Sequence, residues 1–302
     1  MSRSATDTVF LVNPASDNGK TGKRWPELAH RAERLGLAGE TRFSERPGHL
    51  IELAREAVDE GAGLVVAVGG DGTLNEVLNG LLEAGGPVTL GVAPYGTGND
   101  WGRELGIPTS PAALSALLVR RKTRRVDVGR IEYQDGGRRA ARFFINVAGV
   151  GYDAYVLERL WRRGPRLPAY LVALTRGLVT YRAPSFTVRA AGRSESGSLF
   201  VALAMLGPSC GGGMRFAPHA RPDDGLMDLV TIDHLGPLAA LRRLPKIYRG
   251  TILDDRAVRF RQCPEALVET EPPSRVEADG QLLGTTPVAI RVLPGAIDFL
   301  VP

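Results

Sequence analysis

The stretch VVAVGGDGTLNEV, residues 65–77, decides the fold of the first part of the chain. Its opening residues are apolar and mostly β-branched, which is typical of a strand that is buried on both faces of a sheet. After the glycine-rich turn, Leu74, Val77 and Leu78 recur at helical spacing. A buried strand, a glycine turn and a helix in this order predict one strand–helix unit of a parallel sheet.

The same alternation extends on both sides of this unit. We predict strands at residues 8–12, 40–43, 63–68 and 88–94, and helices at about residues 23–36, 50–60 and 73–84. Strands that alternate with helices favour a parallel sheet with right-handed crossovers. The N-terminal part is therefore predicted to be an α/β domain.

The pattern changes after about Arg125, where short strand-like runs follow one another with turn residues between them. Helical stretches are fewer there, at about residues 153–161, 168–180 and 236–248. This pattern is typical of a mainly antiparallel β-sandwich. We therefore predict a domain at residues 1–127 and a β-sandwich domain at residues 128–302, with the last residues free to return to the domain interface.

Two glycine-rich loops, GGDGT at 69–73 and PYGTGND at 94–100, follow predicted strands. In an open parallel sheet, ligands bind beyond the carboxyl ends of the strands. Glycines there let the backbone approach a phosphate and point N–H groups at it, and the following helix adds its positive end. Thr73 is the predicted N-cap of that helix, with Glu76 completing a capping box.

Asp71 is unexpected in a loop that binds only anions. Its carboxylate would repel a phosphate unless a cation lies between them, or unless it accepts a proton from an attacking hydroxyl. Both roles belong to phosphoryl transfer from a magnesium nucleotide. The residues therefore predict a phosphotransferase, and the alternative is an Asp that only caps the helix.

Composition narrows the compartment and the partners. No run of about 18 apolar residues is present, so no transmembrane segment is predicted. Cys210 and Cys263 form no disulfide framework, which favours the cytoplasm. The net charge is +5, and basic clusters at 120–125, 161–166 and 241–250 could meet an anionic membrane. No nucleic-acid-binding motif accompanies these clusters, so nucleic acid is not expected as a partner. We expect a peripheral protein at the inner membrane face.

Six motifs carry a resemblance to a known family. They are VNPASDNGK, GGDGTLNEV, PYGTGNDWGREL, NVAGVGYDA, GGGMRFAPHARPDDGLMDLV and PVAIRVLPGAIDFLVP. In this order they resemble the diacylglycerol/sphingosine lipid kinase family, and most closely its soluble bacterial members. The resemblance implies a nucleotide domain similar to those of phosphofructokinase and NAD kinase. It also implies ATP, Mg²⁺, a lipid hydroxyl as acceptor, an active site in the interdomain cleft and a role in lipid metabolism.

The resemblance also implies site residues. Contacts to the nucleotide are expected from Asn13, Thr41, Gly70, Gly72, Thr73, Gly96, Thr97 and Gly98. Asp71 and Asp100 match the acidic positions near the reacting phosphate and its magnesium. Asp223 and Asp224 match a segment that holds a second, structural magnesium.

One departure from the family pattern affects catalysis. The family carries Asp-Gly-Glu near the end of the sandwich, whereas this chain has Asp279, Gly280 and Gln281. An amide cannot accept a proton as a general base. Either Asp71 or Asp279 supplies the base, or the enzyme is slow, or the chain binds its ligands without turnover.

Three further points stay open. A kinase for a soluble substrate, similar to NAD kinase, is the rival enzyme, and a lipid- or nucleotide-binding regulator is the rival outside enzymes. The acceptor lipid is not named by the sequence, although Met214 and Phe216 could line its groove or belong to a core. An exposed sandwich edge could pair two copies into a homodimer.

Overall fold

The computed structural model describes residues 7–161 and 176–302. The chain divides into two compact units, Met1–Asp127 with Gly295–Pro302, and Val128–Pro294. Most of the basic cluster at 161–166 and the first part of the helix predicted at 168–180 lie outside the described residues. Within the described part, no helix is both long and apolar enough to span a bilayer.

The first unit alternates strands and helices as the sequence predicts. Its elements are β1 (Thr8–Val12), α1 (Lys20–Arg34), β2 (Glu40–Phe43), α2 (His49–Asp59), β3 (Leu64–Gly69), α3 (Asp71–Ala84), β4 (Thr89–Pro94), α4 (Asp100–Glu104) and α5 (Pro111–Arg120). The strands pair in parallel in the order β2–β1–β3–β4. Every residue of β1 and β3 is buried, which explains their continuous apolar runs.

The second unit is mainly antiparallel, and its first strand, β5, begins within the last residues of the first unit. Its elements are β5 (Thr123–Asp135), β6 (Arg138–Phe144), β7 (Val147–Gly151), α6 (Tyr152–Trp161), the helical residues 176–180 (α7), β8 (Ser185–Ala190), β9 (Arg193–Met205), β10 (Met227–Asp233), α8 (Pro237–Arg249), β11 (Val258–Cys263), β12 (Glu265–Glu271), β13 (Arg275–Ala278) and β14 (Gln281–Leu300). Neighbouring strands pair antiparallel in two orders, β11–β10–β9–β7–β13–β14 and β9–β8–β12–β14.

Residues 295–302 belong to the first unit, whereas the sequence analysis assigned them to the second domain. The end of β14 explains this difference, because Asp298 and Phe299 pair in parallel with Thr89 and Leu90 of β4. An apolar run does not show from its own sequence which strand it will join.

Two apolar cores lie on opposite faces of the strands β7, β9, β10 and β13. One face packs into the sandwich, where Phe144, Phe186 and Val276 are fully buried. The other face, with Val147 and Leu203, packs against side chains of α6 and α8. This second, helix-covered face contains the cavity described below.

Candidate active site

The loops that follow β3 and β4 touch through glycine backbone. A Cβ placed on Gly96 would lie 2.2 Å from the Cα of Gly70, so only glycine fits at this contact. The Tyr95 N–H donates to the Gly69 carbonyl at 2.8 Å. The two loops therefore form one surface at the carboxyl ends of neighbouring strands, as the sequence predicts.

Asn99 fixes the second loop, and the sequence analysis did not single it out. Its backbone is left-handed, with φ of 54°. Its Oδ1 accepts the Gly96 N–H at 2.9 Å, and its Nδ2 donates to the carbonyls of Pro94 at 2.9 Å and Gly96 at 2.7 Å. Asparagine tolerates a left-handed conformation better than most residues do. An Asn after two glycines in a loop was therefore the sequence signal that could have identified this residue.

Asp71 and Asp100 meet at the second loop. Each is the first residue of a helix, α3 for Asp71 and α4 for Asp100. A Cβ placed on Gly98 would lie 2.8 Å from Asp71 Oδ2 and 3.7 Å from Asp100 Oδ2. The two carboxylates therefore converge on a backbone surface that has no side chain of its own.

Arg103 positions Asp100. Asp100 is only 4% exposed, and its Oδ1 accepts a hydrogen bond from Arg103 Nη1 at 2.6 Å. The guanidinium also donates to the carbonyl of Gly98. This ion pair holds the Asp100 carboxylate beside the loop.

The predicted capping box at Thr73 is wrong. Helix α3 begins at Asp71, its N-cap is Gly70, and no side chain caps it. Because the helix begins two residues earlier than predicted, Thr73 lies in the first turn. Its Oγ1 accepts a hydrogen bond from Asn13 Nδ2 at 3.1 Å. Glu76 Oε1 accepts instead the N–H of Gly48 at 3.1 Å.

Most predicted nucleotide residues lie around these two loops. Those in or beside them are Asn13, Gly70, Gly72, Thr73, Gly96, Thr97 and Gly98. Thr41 is separate, since it lies in β2 opposite Phe10, which pairs with Val66 in the middle of β3. Its nucleotide role stays a prediction.

The first unit fits a magnesium nucleotide. Glycine backbone and the N-terminus of the 14-residue helix α3 offer N–H groups to phosphates. In the described part of the chain, no group of three or more His, Cys, Asp or Glu side chains is arranged to hold a metal. A magnesium ion would therefore be held by Asp71 and Asp100 together with phosphate and water, as is common for this ion.

Asp223 and Asp224 lie in the second unit, before β10, and both are exposed. Asp224 Oδ1 accepts the Leu226 N–H at 3.0 Å. Burial raises the pKa of the nearby Asp228. The structure does not bring a third such ligand to this pair within the described residues, and the structural magnesium stays a prediction.

Asp279 holds a turn. With Gly280 it forms the two-residue connection of β13 and β14, where φ is 47° at Asp279 and 76° at Gly280. Its carboxylate accepts three backbone N–H groups, from Ile145 at 2.8 Å and from Asn146 and Val147 at 3.0 Å. Both oxygens are occupied, so these contacts give no support to the predicted catalytic role.

A cavity of about 220 Å³ lies in the second unit on its helix-covered face. Met214 and Phe216 both line it, together with apolar side chains of α6, β9, β10 and α8. Among the described residues, its charged lining side chains are Asp153, Arg243 and Glu277. Arg243 is already paired with Asp255 at 3.0 Å.

Gln281 and Glu277 point to opposite faces of their sheet. Gln281 pairs with Ala278, which packs into the sandwich core. Neighbouring residues of a strand alternate in direction, so Glu277 faces the cavity and Gln281 does not. The sequence analysis missed Glu277, because the face of a short strand depends on its register.

Comparisons with known proteins identify the family of this chain. The model of the diacylglycerol kinase catalytic domain matches residues 7–131, and that of the YegS C-terminal NAD kinase beta sandwich-like domain matches residues 146–301. A diacylglycerol kinase of Bacillus subtilis (strain 168) is 28% identical over 285 residues, which cover 92% of this chain and 90% of that protein.

A diacylglycerol kinase of Mycobacterium tuberculosis is 30% identical over 299 residues, with 97% of this chain and 94% of that protein covered. The crystal structure of a diacylglycerol kinase from Bacillus anthracis str. Sterne superposes with a TM-score of 0.74 at 20% identity. It covers 99% of this chain and 98% of that chain, and so shows a shared fold. The chain belongs to the diacylglycerol kinase family and is a lipid kinase.

Proposed function

We propose that this lipid kinase takes the γ-phosphoryl group of magnesium ATP and transfers it to the hydroxyl of a diacylglycerol-like lipid. The observation that carries the proposal is the convergence of Asp71 and Asp100 on the glycine backbone of the second loop. The glycine backbone can bind phosphate oxygens, and the two carboxylates can bind the magnesium ion that accompanies a nucleotide.

On the donor side, the loops and the carboxylates have separate tasks. Backbone N–H groups of the Gly70 and Gly96 loops bind phosphate oxygens, and the N-terminus of α3 adds a partial positive charge. Asp71 and Asp100 are the residues that would hold a magnesium ion, which would neutralise charge on the transferring group. Arg103 keeps Asp100 in place. The acceleration comes mostly from positioning and charge neutralisation.

On the acceptor side, the apolar cavity of the second unit supports a lipid substrate. Its wall is mainly hydrocarbon, which suits an acyl chain, and its few polar groups can orient a head group. The relatives from Bacillus subtilis and Mycobacterium tuberculosis are named diacylglycerol kinase, which favours diacylglycerol as the first acceptor to try.

Helix α8 supports work at an anionic membrane surface, with the protein in the cytoplasm. Leu244 and Ile247 on one side of α8 line the cavity. Leu238 and Tyr248 are 61% and 54% exposed on this helix, which also carries the exposed Arg242. Exposed apolar and basic side chains on one helix are typical of binding in the headgroup region.

The experiment is a labelling screen on the purified full chain. Protein, Mg²⁺ and γ-labelled ATP are mixed with detergent micelles that contain a total lipid extract, diacylglycerol alone, or NAD. We expect label in diacylglycerol or another lipid alcohol, none in NAD, and loss of transfer with EDTA. Label in NAD and no label in lipid would show instead a kinase for a soluble substrate.

Gln281 favours one second candidate, a protein that binds ATP and lipid without turnover. That candidate predicts ATP binding with no labelled lipid, and activity gained by Gln281→Glu. Labelled lipid from the unmodified chain excludes it.

A further inference from the structure

Two carboxyl groups lie side by side on the wall of the cavity. Glu277 comes from β13, and Asp153 from the first turn of α6. Both lie over Gly149 of β7, where a Cβ would be 1.5 Å from Asp153 Oδ2 and 3.1 Å from Glu277 Oε1. The glycine therefore makes room for a pair of acids that face the same cavity.

The pair is buried without a compensating cation. Glu277 is 4% exposed, and neither carboxyl oxygen of Asp153 meets solvent. In the parts of the chain that the structure describes, neither acid forms an ion pair with Lys, Arg or His, and the groups that act on the Asp153 carboxyl are the Glu277 side chain and the local backbone of Asp153 and Ala154. Glu277 Oε2 accepts the Gly280 N–H at 2.8 Å.

Burial makes both groups harder to ionise than they would be in water. Burial raises the pKa of Asp153 to about 6, and burial with the Asp153 charge raises the pKa of Glu277 well above its usual range. The other titratable or charged groups near the pair are Tyr181, Asp279 and the Arg243 of the cavity wall. Both carboxyls therefore hold their protons to a higher pH than exposed carboxyls do, and the ionisation of one opposes the ionisation of the other.

A structural role does not account for this pair. Buried charges that lack a partner destabilise a fold, and apolar side chains of similar volume are often more stable in their place. Glu277 does accept the Gly280 N–H of the adjacent turn, and that bond does not require a second buried acid beside it. A ligand that enters the cavity with a hydroxyl group would bring a donor from the side that faces the cavity, where the lining given for the pair is mainly apolar.

We propose that Glu277 and Asp153 bind the hydroxyl of the lipid acceptor, and that this pair takes the hydroxyl proton in place of the acid that is absent at Gln281. This rests on the proposed function. The acceptor O–H bond breaks while its oxygen bonds to the γ-phosphorus. The proton goes to the ionised carboxylate of the pair, and ADP leaves with the electrons of the broken P–O bond.

The pair is suited to both halves of this task. Its neutral carboxyl donates a hydrogen bond to the acceptor oxygen, and its ionised carboxylate accepts from the hydroxyl. A base whose pKa lies near the working pH is the most effective. The cavity takes the hydrocarbon chain, so the acceptor class is a neutral lipid alcohol with its hydroxyl at the head of an apolar tail.

The test compares Glu277→Gln and Asp153→Asn with Gln281→Ala, which lies on the opposite face of the sheet. Each protein is assayed at saturating lipid from pH 5 to 9, and ATP binding is measured separately. We expect Glu277→Gln to lower kcat by at least about 100-fold, with ATP binding unchanged. In the unmodified protein kcat should fall as the pH drops below about 6, where the pair becomes fully protonated.

Gln281→Ala should stay within about threefold of the unmodified protein. A Glu277→Gln variant with near-normal kcat and an unaltered pH profile would overturn the proposal. The double variant Glu277→Gln/Gln281→Glu is a second test. Full kcat in that protein would also overturn the proposal, because position 281 would then be the site of the base.

A binding readout separates this inference from the proposed function. Dodecanol, a long-chain alcohol, should raise the melting temperature of the unmodified protein and of Gln281→Ala, and should not raise that of Glu277→Gln. Equal protection of Glu277→Gln would overturn the acid pair as the hydroxyl site, even if the chain phosphorylates lipid. Protection only by dodecylamine would overturn the hydroxyl class and point to a cationic head group.

Discussion

The backbone N–H of Asp100 donates to Asp71 Oδ2 over 3.3 Å. This bond joins the first residue of α4 to the first residue of α3, so Asp71 helps to position Asp100. An Asn at position 71 keeps an oxygen for this bond and loses the charge. The contribution of charge can therefore be measured apart from the contribution of geometry.

Asp71→Asn should lower kcat for lipid phosphorylation by at least about 100-fold, because the charge that holds magnesium is removed. The melting temperature should change by less than about 2 °C, since the bond to Asp100 is kept. Steady-state kinetics and thermal unfolding of the same preparation measure both quantities.

Asp59→Asn is the matched control, an exposed carboxylate at the end of α2 in the same unit. It should leave kcat unchanged. Near-normal turnover in Asp71→Asn, or an equal loss in both variants, would contradict the role given to Asp71.

Gly96→Ala should weaken ATP binding and destabilise the first unit. The added Cβ would meet the Cα of Gly70 at 2.2 Å, and backbone cannot move aside as a flexible side chain can. We expect a cost of about 1–3 kcal/mol in the free energy of unfolding and a clear rise in the Kd for ATP. Calorimetric titration and denaturant unfolding measure the two effects.

Gly197→Ala is the control for Gly96→Ala, because a Cβ at Gly197 would have no heavy atom within 4 Å. It should change neither ATP binding nor stability. If Gly96→Ala binds ATP as tightly as this control does, the contact of the two loops is not needed for the nucleotide.

Asn99 should matter through its three side-chain hydrogen bonds as well as through its left-handed backbone. Asn99→Gly removes the side-chain hydrogen bonds, and glycine adopts the left-handed conformation without strain. Asn99→Ala removes the same bonds and also adds strain, because alanine disfavours that conformation. We expect a higher KM for ATP in both variants, and a further loss of stability of about 1 kcal/mol in Asn99→Ala. Equal KM values in Asn99→Gly and the unmodified protein would show that the bonds do not shape the loop.

The sequence was sufficient for features that are local. The strand at 40–43 and the order of strands and helices in the first unit are confirmed, because buried parallel strands are apolar runs that end at glycine turns. The two glycine loops were found for the same reason. The start of α3 was placed two residues late, since a Thr with a Glu three residues later resembles a cap wherever it occurs.

Features that depend on distant segments could not be predicted. Asp153 and Glu277 meet only because β13 pairs with β7 in one register, which puts Glu277 opposite Gly149. A shift by one residue would turn Glu277 toward the sandwich core. The family pattern directed attention to Gln281, which lies on the other face.

Glu277→Gln should stabilise the protein at alkaline pH while it reduces activity. Both acids have a pKa above the usual range in the folded state, so folding is favoured while they hold protons. That stability is lost as the pH rises through the folded-state pKa values. The variant should therefore melt several degrees above the unmodified protein at pH 8 and close to it at pH 5.

The measurement is the melting temperature of both proteins across this pH range at constant ionic strength. A Glu277→Gln variant that melts lower at every pH would identify Glu277 as a structural residue. Higher stability with lower kcat is the combination expected of a residue that is kept for function.

Helix α8 should bring the protein to anionic membranes. Replacement of the exposed Leu238 and Leu241 by Ser should weaken binding to vesicles, because both side chains would otherwise enter the headgroup region. Arg242→Glu should weaken binding to phosphatidylglycerol vesicles and make it less dependent on salt. Sedimentation with vesicles at about 0.1 M and about 0.5 M salt measures both effects.

Leu35→Ser is the matched control, since Leu35 is 52% exposed in the first unit. It should bind vesicles as the unmodified protein does, and phosphatidylcholine vesicles should bind all variants weakly. Binding to phosphatidylglycerol that is unaffected by salt, or lost equally in Leu35→Ser, would contradict docking through α8. Because Leu244 and Ile247 of the same helix line the cavity, a loss of binding through α8 should also raise the KM for lipid in vesicles more than in micelles.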